Sequence, residues 1–232
     1  MPGAVIELLI AVSAFVGLHV LLSHRPVRGA LVARLGENGF TVGYSAVAIG
    51  TLSWVVIAYR ATPVIAWWGT PGWLRVLALA AMLPVAILFV VGLLTPSPTV
   101  VRSEAKLAAG TGGAGILAIT RHPFLWAVAG WAIIHLAVNG DAASFILFGF
   151  LLVLAVGGAV HIDARRRAAL GAPWMAYAAR TSNIPFAAII EGRATWPALA
   201  AIGTARIAIA LAVYAAAIIV HAWIGPDPLA GL

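Results

Sequence analysis

Residues 74–94 read LRVLALAAMLPVAILFVVGLL, twenty-one residues whose only charge, Arg75, stands at the start. An α-helix of that length is about 30 Å long, the thickness of a bilayer's hydrocarbon core. Five further stretches have the same character: 3–23, 40–59, 123–138, 142–160 and 206–224. Lipid offers no hydrogen bonds, so each stretch is expected to be a helix that satisfies its own backbone. Strand alternation is absent, which disfavours a β-barrel. The expected fold is therefore an all-α, polytopic membrane protein of about six transmembrane helices. It forms a single membrane domain over 1–232, with long cytoplasmic loops at 95–122 and 161–205.

The whole composition agrees with that stretch. Of 232 residues, 63% are hydrophobic and 9% charged, and the mean hydropathy is +1.05. A soluble domain carries about 25% charged residues, so this chain cannot wet a globular surface. The same apolar excess excludes disorder. Without cysteine there is no disulfide, thiolate metal site, iron–sulfur cluster or c-type haem attachment.

The net charge is +7, yet the basic residues collect at the ends of spans and read as topology rather than as nucleic-acid binding. Loops one, three and five and the start of span six hold twelve of the 14 Lys and Arg; Arg60 and Arg75 alone flank loop two. That asymmetry predicts a multi-pass protein of a bacterial-type inner membrane with both termini non-cytoplasmic. No Lys or Arg precedes Arg25 and Glu7 interrupts the first apolar run, so span one is expected to remain in the mature fold rather than serve as a signal peptide. The glycine-rich run Gly110–Thr111–Gly112–Gly113–Ala114–Gly115 lacks a flanking strand and reads as a flexible tether.

Ionisable groups inside spans are costly and point to function. Glu7, His19, His135, His161 and His221 are of this kind, while His24 and His122 stand at a span boundary. Each histidine alone could serve an interhelical hydrogen bond; together they suggest imidazole ligation of a transition metal or haem iron. On straight helices His19 lies about 6 Å inside the basic end, and His135 about 20 Å beyond His122 along span four. This gives an inner set (His19, His122, with His24 and His161) and an outer pair (His135, His221). After His135, Asn139–Gly140–Asp141 forms a turn in which Asp141 caps the next helix or orients a histidine. Asp163–Ala–Arg165–Arg166–Arg167 reads as an amphipathic helix on anionic headgroups, with Trp174 and Tyr177 at the interface beside it.

Four ordered segments carry a family resemblance: Gly17–Leu18–His19 with Leu31–Val32–Ala33–Arg34–Leu35–Gly36–Glu37, Arg121–His122–Pro123–Phe124–Leu125–Trp126, His135 to Asp141, and Thr181–Ser182–Asn183–Ile184–Pro185–Phe186. Over residues 10 to 224 the chain resembles the NnrU membrane family, whose relatives include the 15-cis-zeta-carotene isomerases. The resemblance implies six helices and a link to nitrite and nitric oxide metabolism. From the isomerase relatives it implies haem b on His19 and His135, with a lipophilic polyene entering from the bilayer. Asn139, Asp141 and Arg121 would then support the ligands, and the catalytic residues stay unassigned. A second resemblance runs through Arg121–His122–Pro123, Asp163, Trp174, Tyr177 and Arg180 to membrane methyltransferases. It implies an S-adenosylmethionine enzyme as the alternative, using His122, Asp163 and Arg180. A third reading is a non-enzymatic assembly factor for a respiratory complex.

Overall fold

The computed structural model describes residues 2–97, 99 and 113–230. Arg102, Lys106 and residues 110–112 of the glycine-rich run lie outside the described residues. Every long apolar stretch is helical: α1 Pro2–Ser23, α2 Arg25–Ala61, α3 Gly72–Leu94, α4 Ile116–Ile119, α5 Pro123–Asn139, α6 Ala142–Leu170, α7 Ala172–Arg180, α8 Ala187–Ile190 and α9 Thr204–Ile224, with a 3-10 turn at Trp196–Ile202 before α9. Five of them are long and apolar enough to cross a membrane, and α5 is a shorter apolar helix of 17 residues. The chain is an all-α polytopic membrane protein.

Two boundaries differ from expectation. The second helix begins at Arg25 rather than at residue 40 and breaks at Gly36, where φ 71° and ψ 168° suit glycine almost alone. Arg28 clasps Glu37 across the break at 2.7 Å and lies over the Phe40 ring at 5.0 Å. The sixth helix runs ten residues past its apolar stretch, to Leu170. In both places the helix continues through charged residues beyond its apolar stretch. Hydropathy marks where a helix crosses lipid, not where it ends.

The fold divides into two compact units: 1–70 with 135–154, and 71–134 with 155–232. In the first, Leu8, Ala11, Val12 and Phe15 of α1 bury against Val55 and Ala58 of α2 and Ala143 of α6. In the second, Val90 and Val91 of α3 pack with Ile116 and Leu117 of α4 and Ala210 of α9, and the Tyr214 hydroxyl donates to the Leu79 carbonyl at 2.6 Å.

The turn at Asn139–Gly140–Asp141 is stitched to the 62–70 segment. Trp67 and Trp68 amides donate to the Gly140 carbonyl at 2.7 and 3.3 Å. The Trp68 indole donates to the Ala137 carbonyl at 3.0 Å, and the Thr70 hydroxyl donates to that of Val138. Gly140 has φ 59°, and a Cβ there would stand 2.6 Å from the Trp68 carbonyl oxygen. Gly140→Ala therefore meets both a left-handed backbone and a steric overlap, and should cost about 2 kcal/mol or more. The check is a lower melting temperature of the purified protein in detergent than for the neutral control Gly50→Ala, whose Cβ would meet nothing within 4 Å.

Candidate functional site

Polar side chains converge in the second unit, where Arg121–His122 leads into α5. Pro123 opens that helix, its fixed φ suited to a first helical position, and the Trp126 amide closes the turn on the His122 carbonyl at 3.0 Å. The Thr120 hydroxyl accepts the His122 amide at 3.2 Å and donates to the Asn183 carbonyl at 2.5 Å. These bonds aim both side chains at Asp163 of α6.

Asp163 is the hub. Its Oδ1 takes His122 Nε2 at 2.7 Å and Arg121 Nε at 2.9 Å. Its Oδ2 takes Arg121 Nε at 3.0 Å, Arg121 Nη2 at 2.6 Å and Asn183 Nδ2 at 2.9 Å. Such a set of donors requires an ionised carboxylate, and charge-assisted bonds are the strong ones. Burial sharpens the case: the side chains of His122, Arg121 and Asp163 are 1%, 12% and 18% exposed. Arg121 also donates to the Thr181 carbonyl at 3.2 Å and lies over Trp174 at 5.9 Å. The Asn183 side-chain Oδ1 accepts from the Trp126 indole at 3.3 Å. Arg193 reaches the same Thr181 carbonyl at 2.6 Å. Start of α5, shaft of α6 and the 181–183 segment are thus locked together through one carboxylate.

Trp174 and Tyr177 are not interfacial as expected: each is only 1% exposed, packed inside this region. The helix α7 is amphipathic, and its apolar edge turns inward over Arg121 instead of toward lipid. Burial pushes the Tyr177 phenol up to about 12 from 10.0, so it is neutral at physiological pH. Arg180 stands outside the cluster, exposed, its Nε donating to the Ala176 carbonyl of its own helix at 3.4 Å. The trio His122, Asp163 and Arg180 is therefore only two-thirds assembled. Sequence reasoning missed Asn183 as a ligand of Asp163. It sits inside the quoted Thr181–Pro185 tract, but nothing local marks a bond across twenty residues.

The remaining histidines divide by unit. In the first, His19 Nδ1 donates to the Phe15 carbonyl at 2.8 Å, and its ring meets Phe15 at 4.3 Å and Tyr44 at 5.4 Å. His135, half-buried, stacks on Phe148 at 4.7 Å. Asp141 gives both oxygens to Ser144, 2.9 Å to its amide and 2.6 Å to its hydroxyl, and Ser144 in turn bonds Tyr59 at 2.8 Å. That is helix capping. Asn139 ends α5 beside it. Glu7 is exposed and accepts the Trp54 indole at 3.4 Å, as an interfacial residue would. In the second unit, His221 Nδ1 donates to the Pro226 carbonyl at 2.9 Å, and His161 Nε2 is buried with no hydrogen-bond partner among the described residues. No group of three or more His, Cys, Asp or Glu is arranged for a metal ion among the described residues.

A family model described as NnrU protein matches residues 7–228. The chain belongs to the NnrU family. The match takes in all four quoted segments and both units. No curated protein and no solved structure matches the chain.

Two predictions follow from the cluster. Asp163→Asn strands a buried guanidinium without its counter-charge and should cost about 3 kcal/mol or more. Thermal unfolding in detergent checks this, with Glu191→Gln, an exposed partner of Arg193, as the near-neutral comparison. For Tyr177 the folded-state value is the raised one. Stability is therefore undiminished below pH 10.0, where both states hold the proton, and falls toward pH 12 as the unfolded chain alone releases it. Melting temperatures between those limits should drop less steeply for Tyr177→Phe than for the parent.

Proposed function

We propose that this NnrU-family protein binds haem b within the membrane, on His19 and His135. The observation that carries the reading is the state of the His19 ring. Its Nδ1 is committed to the Phe15 carbonyl, which fixes the tautomer and leaves Nε2 as the lone-pair nitrogen. That is the state in which imidazole serves as a metal ligand, oriented by a bond from its other nitrogen. His135 belongs to the same compact unit, and its ring orientation is supported by the Phe148 face. Two imidazoles suffice for a haem, so a third protein donor is not required. What supports the reading is one oriented nitrogen on His19 and an aromatic ring beside each imidazole.

When bound, the haem would supply one-electron chemistry at iron. The chain's own contribution is apolar surroundings: Phe15 beside His19 and Phe148 beside His135 are buried aromatics that exclude water. Apolar side chains exposed on the long helices, among them Ile10, Leu21, Ile133 and Phe145, favour a lipophilic substrate arriving through the bilayer, as the polyene isomerase reading requires. The methyl-donor alternative gains no support from a carboxylate whose two oxygens are already taken and an Arg180 that stands apart.

The test is the absorption spectrum of protein purified from haem-sufficient cells, oxidised and dithionite-reduced. A Soret band that is lost in His19→Ala and in His135→Ala, and kept in His161→Ala and His221→Ala, is the expected result. Haem loss in the first two should also lower the melting temperature, because a ligand held only by the folded state stabilises it. Parent protein with no Soret band overturns the reading.

A further inference from the structure

We infer that residues 184–202 form an interfacial wedge, lying in the headgroup–acyl boundary of the bilayer on the basic side and binding anionic lipid there. The segment is rigidly built yet apolar on the outside. Phe186 is the one non-glycine residue with positive φ among the described residues, at φ 64° and ψ −9°. A backbone in that region is uphill for a bulky residue and persists only where its surroundings over-determine it. Here the Phe186 amide donates to the Ile119 carbonyl at 2.7 Å, while its own carbonyl accepts from Ile189 and Ile190 at 3.0 and 2.9 Å. Ala188 and Ile189 are buried inward as anchors. What the strained geometry turns outward is Ile184, Phe186 and Ile190, at 64%, 38% and 79% exposed, with the Phe186 ring 6.1 Å from a Trp196 that is itself 62% exposed.

Water is a poor home for four such side chains, and two observations say what covers them. The first is continuity with the spans. Ile202 at the end of the segment, and Ile119, whose carbonyl holds the Phe186 amide, pack on the core of Val90, Val91 and Ala210, which belongs to the apolar helices α3 and α9. Residue 202 is followed within two residues by the start of α9. The second is charge. Arg180, Arg193 and Arg206 flank the apolar residues against a single acid, Glu191. Arg193 is pinned in place by the Ala179 and Thr181 carbonyls and paired with Glu191 at 2.5 Å. That leaves Arg180 and Arg206 as the cations without an acid beside them in sequence; Arg206 is held by the carbonyls of Ala201 and Ile202. Apolar side chains with an aromatic pair, rimmed by arginine, is the pattern of a segment lying on an anionic membrane surface.

The absence of native cysteine makes the test direct. Single variants Ile184→Cys, Ile190→Cys, Trp196→Cys and Glu191→Cys would carry a nitroxide in full-length protein reconstituted into phosphatidylglycerol-containing nanodiscs. At the first three, oxygen should relax the label several-fold more than a water-soluble nickel chelate does, and at Glu191 the order should reverse. The oxygen preference should weaken in discs of phosphatidylcholine alone. Nickel relaxing all four labels alike, or the three apolar sites being shielded from both reagents because protein covers them, overturns the proposal. So does an oxygen preference indifferent to lipid charge, which would leave no role for the arginines. Each site is exposed, and an unchanged melting temperature would show that the labelled variants keep the fold.

Discussion

The Asp163 carboxylate is the constraint on which the basic end of this molecule depends. Placing it on a helix that has just left an apolar run is costly unless every lone pair is answered. Arg121, His122 and Asn183 answer them from two other segments. The cost of burial thereby becomes specificity. Only one arrangement of the α5 start, the α6 shaft and the 181–183 tract satisfies the charge. The same arrangement gives Arg121 its Trp174 face and lets Trp174 and Tyr177 be buried. The first unit has a smaller counterpart in Asp141, which answers to Ser144 and through it to Tyr59. In a chain with so few charges, each buried acid organises several elements.

The spans were legible in the sequence because a twenty-residue apolar run leaves the backbone one solution in lipid. The Asn139–Gly140–Asp141 turn was legible too, since its three residues carry their own turn chemistry. The helical run at 25–35 was not, because hydropathy falls where charge begins even when the helix continues; the stretch at 163–167 read as a helix, but not as one continuous with the apolar run before it. Nor was the destination of Asp163 legible. Its neighbours Arg165, Arg166 and Arg167 suggested a face on headgroups, whereas the acid turns to an arginine 42 residues earlier. A local pattern carries no information about a bond of that span. The direction of Trp174 and Tyr177 failed for the same reason.

The histidines show how far such reasoning reaches once bonds are known. Counting residues along straight helices places His19 and His135 in different sets by depth, and both belong to the first unit. Bonding partners and burial together discriminate the rings. His122 spends Nε2 on Asp163 at 1% side-chain exposure, so its ring is a strut whose withdrawal would unpair the carboxylate. His19 spends Nδ1 on its own helix backbone, a bond that holds the ring still while asking nothing of Nε2. A ligand to iron must be rigid at one nitrogen and available at the other. Both rings are held at one nitrogen, a carboxylate orienting an imidazole as well as a carbonyl does; what sets His19 apart as the candidate ligand is that it is only half-buried, whereas the His122 side chain is 1% exposed and serves the Asp163 cluster.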